Sequence, residues 1–356
     1  MKHSSTFFKF DIPMTTYQEP WIIAEAGVNH NGDINLAFEL IRQAKACGAH
    51  AVKFQTFKAE KLAQKTTPKV PYQTVDAPDA QESHFEMLKK LELSEEQTQR
   101  LKTCCDEVGI EFMSTPYDPE SVIFLKRLGS QHIKVASADL VDFRIQEAVQ
   151  ETGLTVIQSV GMATLEEIDA WNEAYQNFQK NYPRILLQCT SNYPSDPQNA
   201  NLRVLTTLRE RYGLPVGFSD HTPNNKAAIL SVAMGATIIE KHFTLDKNMK
   251  GPDHKASADP REFKRYCDDI RETVAILGSH QKFVVEEETA MRNISRKGVY
   301  CNKDLKAGQT VTLKDVCFYR PGNLMDMHTF KSLIGEKLRM DVSLGSALEL
   351  RHFYLA

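Results

Sequence analysis

The sequence predicts an α/β protein, a (β/α)8 TIM barrel followed by a small β-rich domain. Three observations carry that reading. Eight short, mostly apolar runs recur across the first 245 residues, and stretches with helical periodicity separate most of them. After Leu277 short strands divided by glycine-bearing turns take over. Continuous apolar strands alternating with amphipathic helices belong to parallel sheets covered on the outside. Eight such units point to closure. No Gly-x-Gly-x-x-Gly opens a first helix, as a doubly wound dinucleotide fold would have it.

The expected strands start at Trp21 (WIIAEAG), Ala51 (AVKFQT), Ile110 (IEFMSTP) and His132 (HIKVAS). Four more start at Leu154 (LTVIQSVGM), Arg184 (RILLQCTS), Leu214 (LPVGFSD) and Ala236 (ATIIEKHF). Helical stripes run over residues 36–46, 95–108, 119–128, 165–178 and 227–234. Glycine at CGAH and MGAT suits helix C-termini just before the second and eighth strands. The connection over residues 58–83 is long for a barrel, and long ordered loops usually serve as lids or contacts. The division expected is an N-terminal extension over 1–20, a barrel over 21–277, a linker over 278–293 and the small domain over 294–356. In the last, GVYCN, QTVTL, VCFYRPG and ALELRHFYL read as strands.

The 356 residues exceed the roughly 250 of a barrel, which leaves room for that second domain. With 43 basic against 46 acidic residues, the chain is not a general nucleic-acid or membrane binder. Any anion site must be built locally. No run approaches the ~18 apolar residues of a membrane span, and the first twenty residues lack the apolar core of a signal peptide. Seven cysteines without a CxxC pair read as small buried hydrophobes in a reducing, cytoplasmic compartment.

Barrel enzymes place their chemistry at the C-terminal ends of the strands. Here those ends are polar: Glu25; Lys53 and Gln55; Ser114 and Thr115; Lys134, Ser137 and Asp139; Thr190 to Tyr193; Ser219 to His221; Glu240 to His242. Lys53 and Lys134 sit inside apolar runs (VKF, IKV), where a lysine needs a partner or a polar cavity. With hydroxyls at Thr115, Ser137 and Ser219 they read as a site for phosphate or carboxylate. His221 and His242 end adjacent strands and are placed for a divalent ion, although a purely structural pair is the plainer alternative. Glu25 reads as an acid or base at the same mouth, compatible with a salt bridge to one of the lysines.

At these residues the chain resembles bacterial sialic-acid synthases. The motifs are IAEAGVNHNGD, KFQTF, FMSTPYD, KVASAD, CTSNYP, GFSDHT, EKHFTLD and GPDHKAS, in the family's order. ISRKGVY, KAGQ and RPGN resemble the antifreeze-like (SAF) domain appended to those enzymes. The resemblance implies a domain-swapped homodimer that condenses phosphoenolpyruvate with N-acetylmannosamine or a related acetamido sugar, using Mn2+ or Mg2+. It implies that His221 and His242 hold the metal, which polarises the sugar aldehyde, while Glu25 manages protons. Lys53, Thr115, Lys134, Ser137 and Ser219 would hold phosphoenolpyruvate. Gln55, Asp139, Tyr193 and Asp253 would meet the sugar, and Arg320 of the partner's small domain would reach its acyl-amino group.

The chain departs from the family pattern at three places. Many relatives carry Glu where Asp139 stands, and some carry Asn at Ser191, which leaves Ser191 and Asn192 as alternative ligand contacts. RPGNLMDM replaces RPGNG or RPGTG after Arg320. Legionaminate and pseudaminate synthases, acting on 6-deoxy diacetamido sugars, share the same motifs. A Schiff-base aldolase using Lys53 or Lys134 and a non-catalytic sugar-binding protein are the rival readings from other classes.

Overall fold

The computed structural model describes residues 19–69, 82–322 and 325–354. Most of the expected N-terminal extension, part of the connection after the second strand, and Asn323 and Leu324 of the loop after Arg320 lie outside these residues. The chain forms two compact units, the first ending at Ser279 and the second spanning His280–Ala356.

All eight expected strands form. They are β1 (Trp21–Gly27), β2 (Ala51–Thr56), β3 (Glu111–Pro116), β4 (His132–Val135), β5 (Thr155–Ser159), β6 (Arg184–Gln188), β7 (Val216–Asp220) and β8 (Ile238–His242). Parallel ladders join them in the order β3-β2-β1-β8-β7-β6-β5-β4, and β3 lies beside β4 to bring the ring round. This is the (β/α)8 barrel that the alternation predicts.

Strand side chains alternate between two faces, and here the alternation sorts chemistry. Ile23, Ala51, Met113, Ile157, Ile185, Leu187 and Ile238 form an apolar cluster inside the ring. Two residues further along the same strands come Glu25, Lys53, Thr115, Ser159, Cys189 and Glu240. The inside is thus greasy at its N-terminal half and polar at its mouth. The residues between them face outward into a much larger core shared with the helices, among them Ala24, Val52, Phe54, Phe112, Val156 and Ile239.

The covering helices start on capped ends. Ser94, Thr164 and Asp259 each accept from the N3 backbone amide while Gln97, Glu167 and Glu262 reach back. Those caps set the helices Glu95–Val108, Leu165–Phe178 and Pro260–Leu277. At Gly48 and Gly235 the backbone turns left-handed, as the sequence predicts for helix ends. Glu19 binds Arg271 at 2.7 Å, and Arg271 also donates to the Gly48 carbonyl, tying the chain entering β1 to the last barrel helix.

In the second unit, β9 (Gly298–Cys301) pairs antiparallel with β10 (Val316–Tyr319). A small core of Val299, Leu305, Val311, Phe330, Leu338 and Phe353 lies within this unit. Two of the expected strands do not form. QTVTL contributes one bridge, Thr310 with Lys337, and ALELRHFYL two, Tyr300 with Ala347 and Leu338 with Phe353, on either side of a 3-10 turn at Leu350–His352. The presumed connector holds most of a helix, Glu286–Ser295.

Among the described residues no helix is long and apolar enough to cross a membrane. All seven cysteines are free thiols, six of them buried.

Candidate active site

The polar mouth is a connected network. β1 and β2 pair so that Glu25 lies opposite Lys53, and the Lys53 ammonium meets the Glu25 carboxylate at 2.6 Å. Lys53 also donates to the Thr115 hydroxyl at 3.1 Å and lies 3.7 Å from Glu240. Ser219 donates to the other oxygen of Glu240 at 3.0 Å. Gln55, one pleat above Lys53, donates to Glu25 at 3.3 Å. Lys134 enters from β4 and donates to Ser159 at 2.7 Å and to its neighbour's carbonyl, Val135 O, at 3.0 Å.

Burial sets the protonation. It pushes Glu25 up to about 7, reinforced by Glu240 and opposed by Lys53. Burial opposes the Glu240 carboxylate, yet Lys53 and Lys134 hold it below its ordinary range. Burial likewise opposes the Lys53 charge, but Glu240 and Glu25 outweigh it and the ammonium is held on. Lys134 is shifted down by burial, which Glu240 only partly offsets. Two lysines and two carboxylates out of water form a site whose charge balance an incoming anion would reset.

Around Lys134 the wall is made of hydroxyls and a thiol. Ser137 accepts from the Gly161 amide at 3.0 Å, and its oxygen lies 3.2 Å from Cys189 Sγ. Gly161 has no room for a side chain: a Cβ there would come within 2.5 Å of Ser191 Oγ and 2.7 Å of Cys189 Sγ. Ser191 therefore faces this wall, whereas Asn192 spends its amide on the Pro194 carbonyl of its own turn. Cys189 is buried like the other cysteines, but it belongs to the site rather than to a remote core.

His221 and His242 stand side by side with ring centroids 5.5 Å apart. Tyr193 packs on both, at 4.2 and 5.2 Å. Burial holds both imidazoles below their ordinary range, His242 further because His221 and Lys53 face it. They are therefore neutral and offer lone pairs. The Thr190 carbonyl accepts from His221 Nδ1 at 2.7 Å, which leaves Nε2 as the free lone pair, near the Ser219 hydroxyl. His242 Nδ1 is shielded from solvent without a hydrogen-bond partner among the described residues. A neutral imidazole pair with one orphaned nitrogen fits a divalent ion. No third His, Cys, Asp or Glu joins them among the described residues, so water and substrate would complete the shell.

Gln55, Glu25 and Asp253 converge on Gly27, where a Cβ would meet their polar atoms at 3.4, 3.2 and 3.7 Å. With φ at +52, this position favours glycine on both counts. Asp253 is buried, and that burial pushes it up to about 6. Its loop is pinned to the loop after β1. Asn29 Nδ2 donates to Phe243 O and to Ser257 Oγ, both at 2.9 Å, and Ser257 donates to Asp253 O at 2.6 Å.

Asp139 follows β4 on a short 3-10 turn. Burial first, and Asp142 second, push it up to about 6, and one of its oxygens has no hydrogen-bond partner among the described residues. Arg320 belongs to the second unit, exposed just after β10.

The sequence reading passed over two kinds of participant. Glu240 was noted as a strand end without a role, though a carboxylate inside IIEKH follows the same logic as the strand lysines. Ser159 and Asn29 are small polar residues in ordinary runs, and only the ring geometry shows what they touch.

Fold and site together define a (β/α)8 barrel with a buried anion-type cup and a histidine pair in its mouth. A model of the NeuB family matches residues 40–282. An N,N'-diacetyllegionaminic acid synthase of Legionella pneumophila is 42% identical over 93% of this chain and 94% of its own. A second, from Campylobacter jejuni, is 39% identical over 88% of this chain and 94% of its own. The crystal structure of an N-acetylneuraminic acid synthetase from Leptospira borgpetersenii, in complex with citrate, superposes with a TM-score of 0.67 at 33% identity, covering 77% of this chain and 90% of that one. The chain belongs to the NeuB family.

Proposed function

We propose that this chain condenses phosphoenolpyruvate with an N-acetylated amino-sugar aldehyde, releasing phosphate and forming a nine-carbon 2-keto acid. The observation that carries the reading is the mouth itself. Lys53 and Lys134 are buried strand lysines that open on the same cup as two neutral histidines. Phosphoenolpyruvate brings a phosphate and a carboxylate, which matches two cations ringed by the hydroxyls of Thr115, Ser137 and Ser219. An aldolase lysine would need to be neutral and free to attack; Lys53 is held charged by Glu240 and Glu25, and Lys134, though burial shifts it down, is tied to Ser159 and the Val135 carbonyl.

In this reading the nucleophile is carbon 3 of phosphoenolpyruvate. It forms the new C–C bond to the sugar's aldehyde carbon, water adds at carbon 2, and the bond from carbon 2 to the phosphate oxygen breaks. A divalent ion, Mn2+ or Mg2+, held by His221 and His242 would supply Lewis-acid activation of the aldehyde. Glu25, placed between Lys53 and Gln55, takes or gives the proton at the water or the aldehyde oxygen. Gln55, Asp139, Tyr193 and Asp253 would meet the sugar.

For the sugar we place a 6-deoxy diacetamido compound ahead of N-acetylmannosamine. Both curated relatives described above make N,N'-diacetyllegionaminic acid and match this chain over most of its length. We further propose that the second unit is an antifreeze-like domain that caps a partner's barrel in a swapped homodimer and brings Arg320 to the acyl-amino group. The motif resemblance of that unit supports this, as does its small core. The free thiols support a reducing compartment such as the cytoplasm.

Phosphate release measured with phosphoenolpyruvate and each sugar in turn tests the reading. Turnover is expected to be fastest with the diacetamido sugar. Faster turnover of N-acetylmannosamine would reverse the order of sugars, and no turnover with any amino-sugar aldehyde would remove the proposal.

A further inference from the structure

Asp220 and Lys241 interrupt the inward series. They lie between Ser219 and His221, and between Glu240 and His242, so they point to the outer face of the barrel. There Lys241 pairs with Asp220 at 3.3 Å and donates to the Thr222 carbonyl, while Tyr266 donates to Asp220 at 3.0 Å. This buried cluster is the floor of a cleft of ≈490 Å³ between the helices Lys226–Ala233 and Pro260–Leu277.

The cleft wall is rich in cations: Lys226, Lys241, Lys247, Lys255 and Arg265, against the carboxylates of Glu262 and Asp269. Two of the cations make ion pairs at the surface, Lys247 with Glu262 at 3.0 Å and Arg265 with Asp269 at 3.9 Å. Such exposed pairs are weak and give way readily to a better anion. The first turn of the helix Lys226–Ala233 also faces the cleft. Asn225 at its cap does not bond that turn, and donates instead to Asp269 at 2.6 Å. Asn224 Oδ1 accepts from the Lys226 amide at 3.0 Å, so the positive potential of the cleft comes from its side chains.

We propose that this cleft is a second anion site, separate from the barrel mouth, for a phosphate-bearing small molecule. Its volume lies within the range of small-ligand sites, about 300–1,000 Å³, and suits a nucleoside monophosphate. The phosphate lies between Lys226 and Arg265 over the Lys241 floor. The site faces away from Glu240 and His242, so it does not depend on the reaction assigned to the mouth.

The test is calorimetric titration of the full chain, in Mg2+ and saturating phosphoenolpyruvate so that the mouth is filled. AMP and inorganic phosphate are expected to bind saturably, one per chain, and adenosine is not. Lys226 and Arg265 are exposed on separate helices, so the double variant K226A/R265A keeps the fold. It should bind both anions about tenfold or more weakly, with the affinity for phosphoenolpyruvate unchanged. The variant Lys53→Ala, titrated without phosphoenolpyruvate, should still bind AMP. Absence of saturable binding, equal affinity in K226A/R265A, or loss of AMP binding in Lys53→Ala would each overturn the proposal.

Discussion

Glu240 and Lys241 are neighbours in one strand, yet they serve opposite faces of the barrel. Glu240 turns inward to Lys53 and Ser219, and Lys241 turns outward to Asp220. Glu240 shares with Glu25 the task of offsetting two buried ammonium groups, so Glu240→Gln leaves part of that charge uncompensated. Breaking a buried pair costs on the order of 3 kcal/mol. A thermal melt should show that loss, and phosphoenolpyruvate should restore more of the stability in the variant than in the parent chain. An equal ligand effect in both would contradict the charge balance drawn here. For His221→Ala and His242→Ala, turnover is expected to vanish and Mn2+ binding, followed by titration calorimetry, to weaken, while the melting temperature stays close to the parent's. Metal-dependent turnover surviving in either variant would rule out the pair as ligands. At this scale the sequence was readable wherever a charge interrupts an apolar run, as at Lys53 and Lys134. It was silent on Asn29 and Ser159, because a small polar side chain costs little in a loop or at a strand end.

At the scale of elements, the strands were legible because each is a compact apolar run with a polar C-terminal end. Several helices were less so. The helix Phe143–Thr152 turns Gln146 and Gln150 inward, and Gln146 accepts from both Trp171 and Tyr175 at 3.0 and 2.9 Å. Buried polar residues blur the apolar stripe from which a helix is read. Pro260–Leu277 is not among the expected helices either, although Asp259 and Glu262 form a capping box around Pro260 at its start. In the second unit, isolated bridges replace two expected strands, since short β-branched runs need neighbouring strands to become a ladder. The loops after β1 and β8 are joined by Asn29, whose amide bonds Phe243 O and Ser257 Oγ, and by Asn31, which reaches Lys250 O and His254. Asn29→Ala should destabilise the barrel by about 1–3 kcal/mol in a denaturant melt, since it leaves buried acceptors unmet. It should also raise the Michaelis constant for the sugar more than that for phosphoenolpyruvate, because the Asp253 loop loses the anchor nearest Ser257. Equal changes in both constants would show that the anchor does not act through Asp253.

For the whole molecule, acid is the informative stress. His30 is buried, and its Nδ1 accepts from the Gly32 amide at 3.0 Å. Burial, helped by the charge of His254, pushes His30 down to about 4, and burial alone does the same to His254. In the unfolded chain both titrate near 6.5, so between pH 6.5 and 4 the unfolded state binds more protons. Their contribution is complete above pH 6.5 and is lost as pH falls toward 4, on the order of 3 kcal/mol for His30. Melting temperatures taken across that interval should fall, and His30→Gln should flatten the slope; an unchanged slope would place the acid sensitivity elsewhere.

The central claim is that this barrel joins phosphoenolpyruvate to a sugar and expels phosphate by breaking the bond between carbon 2 and oxygen. Phosphoenolpyruvate labelled with 18O at the bridging oxygen tests it directly, with the diacetamido sugar as acceptor and Mn2+ present. The released phosphate is expected to carry the label, the nine-carbon keto acid to lack it at carbon 2, and EDTA to stop turnover until Mn2+ is restored. Unlabelled phosphate, with the oxygen kept on the organic product, would contradict it.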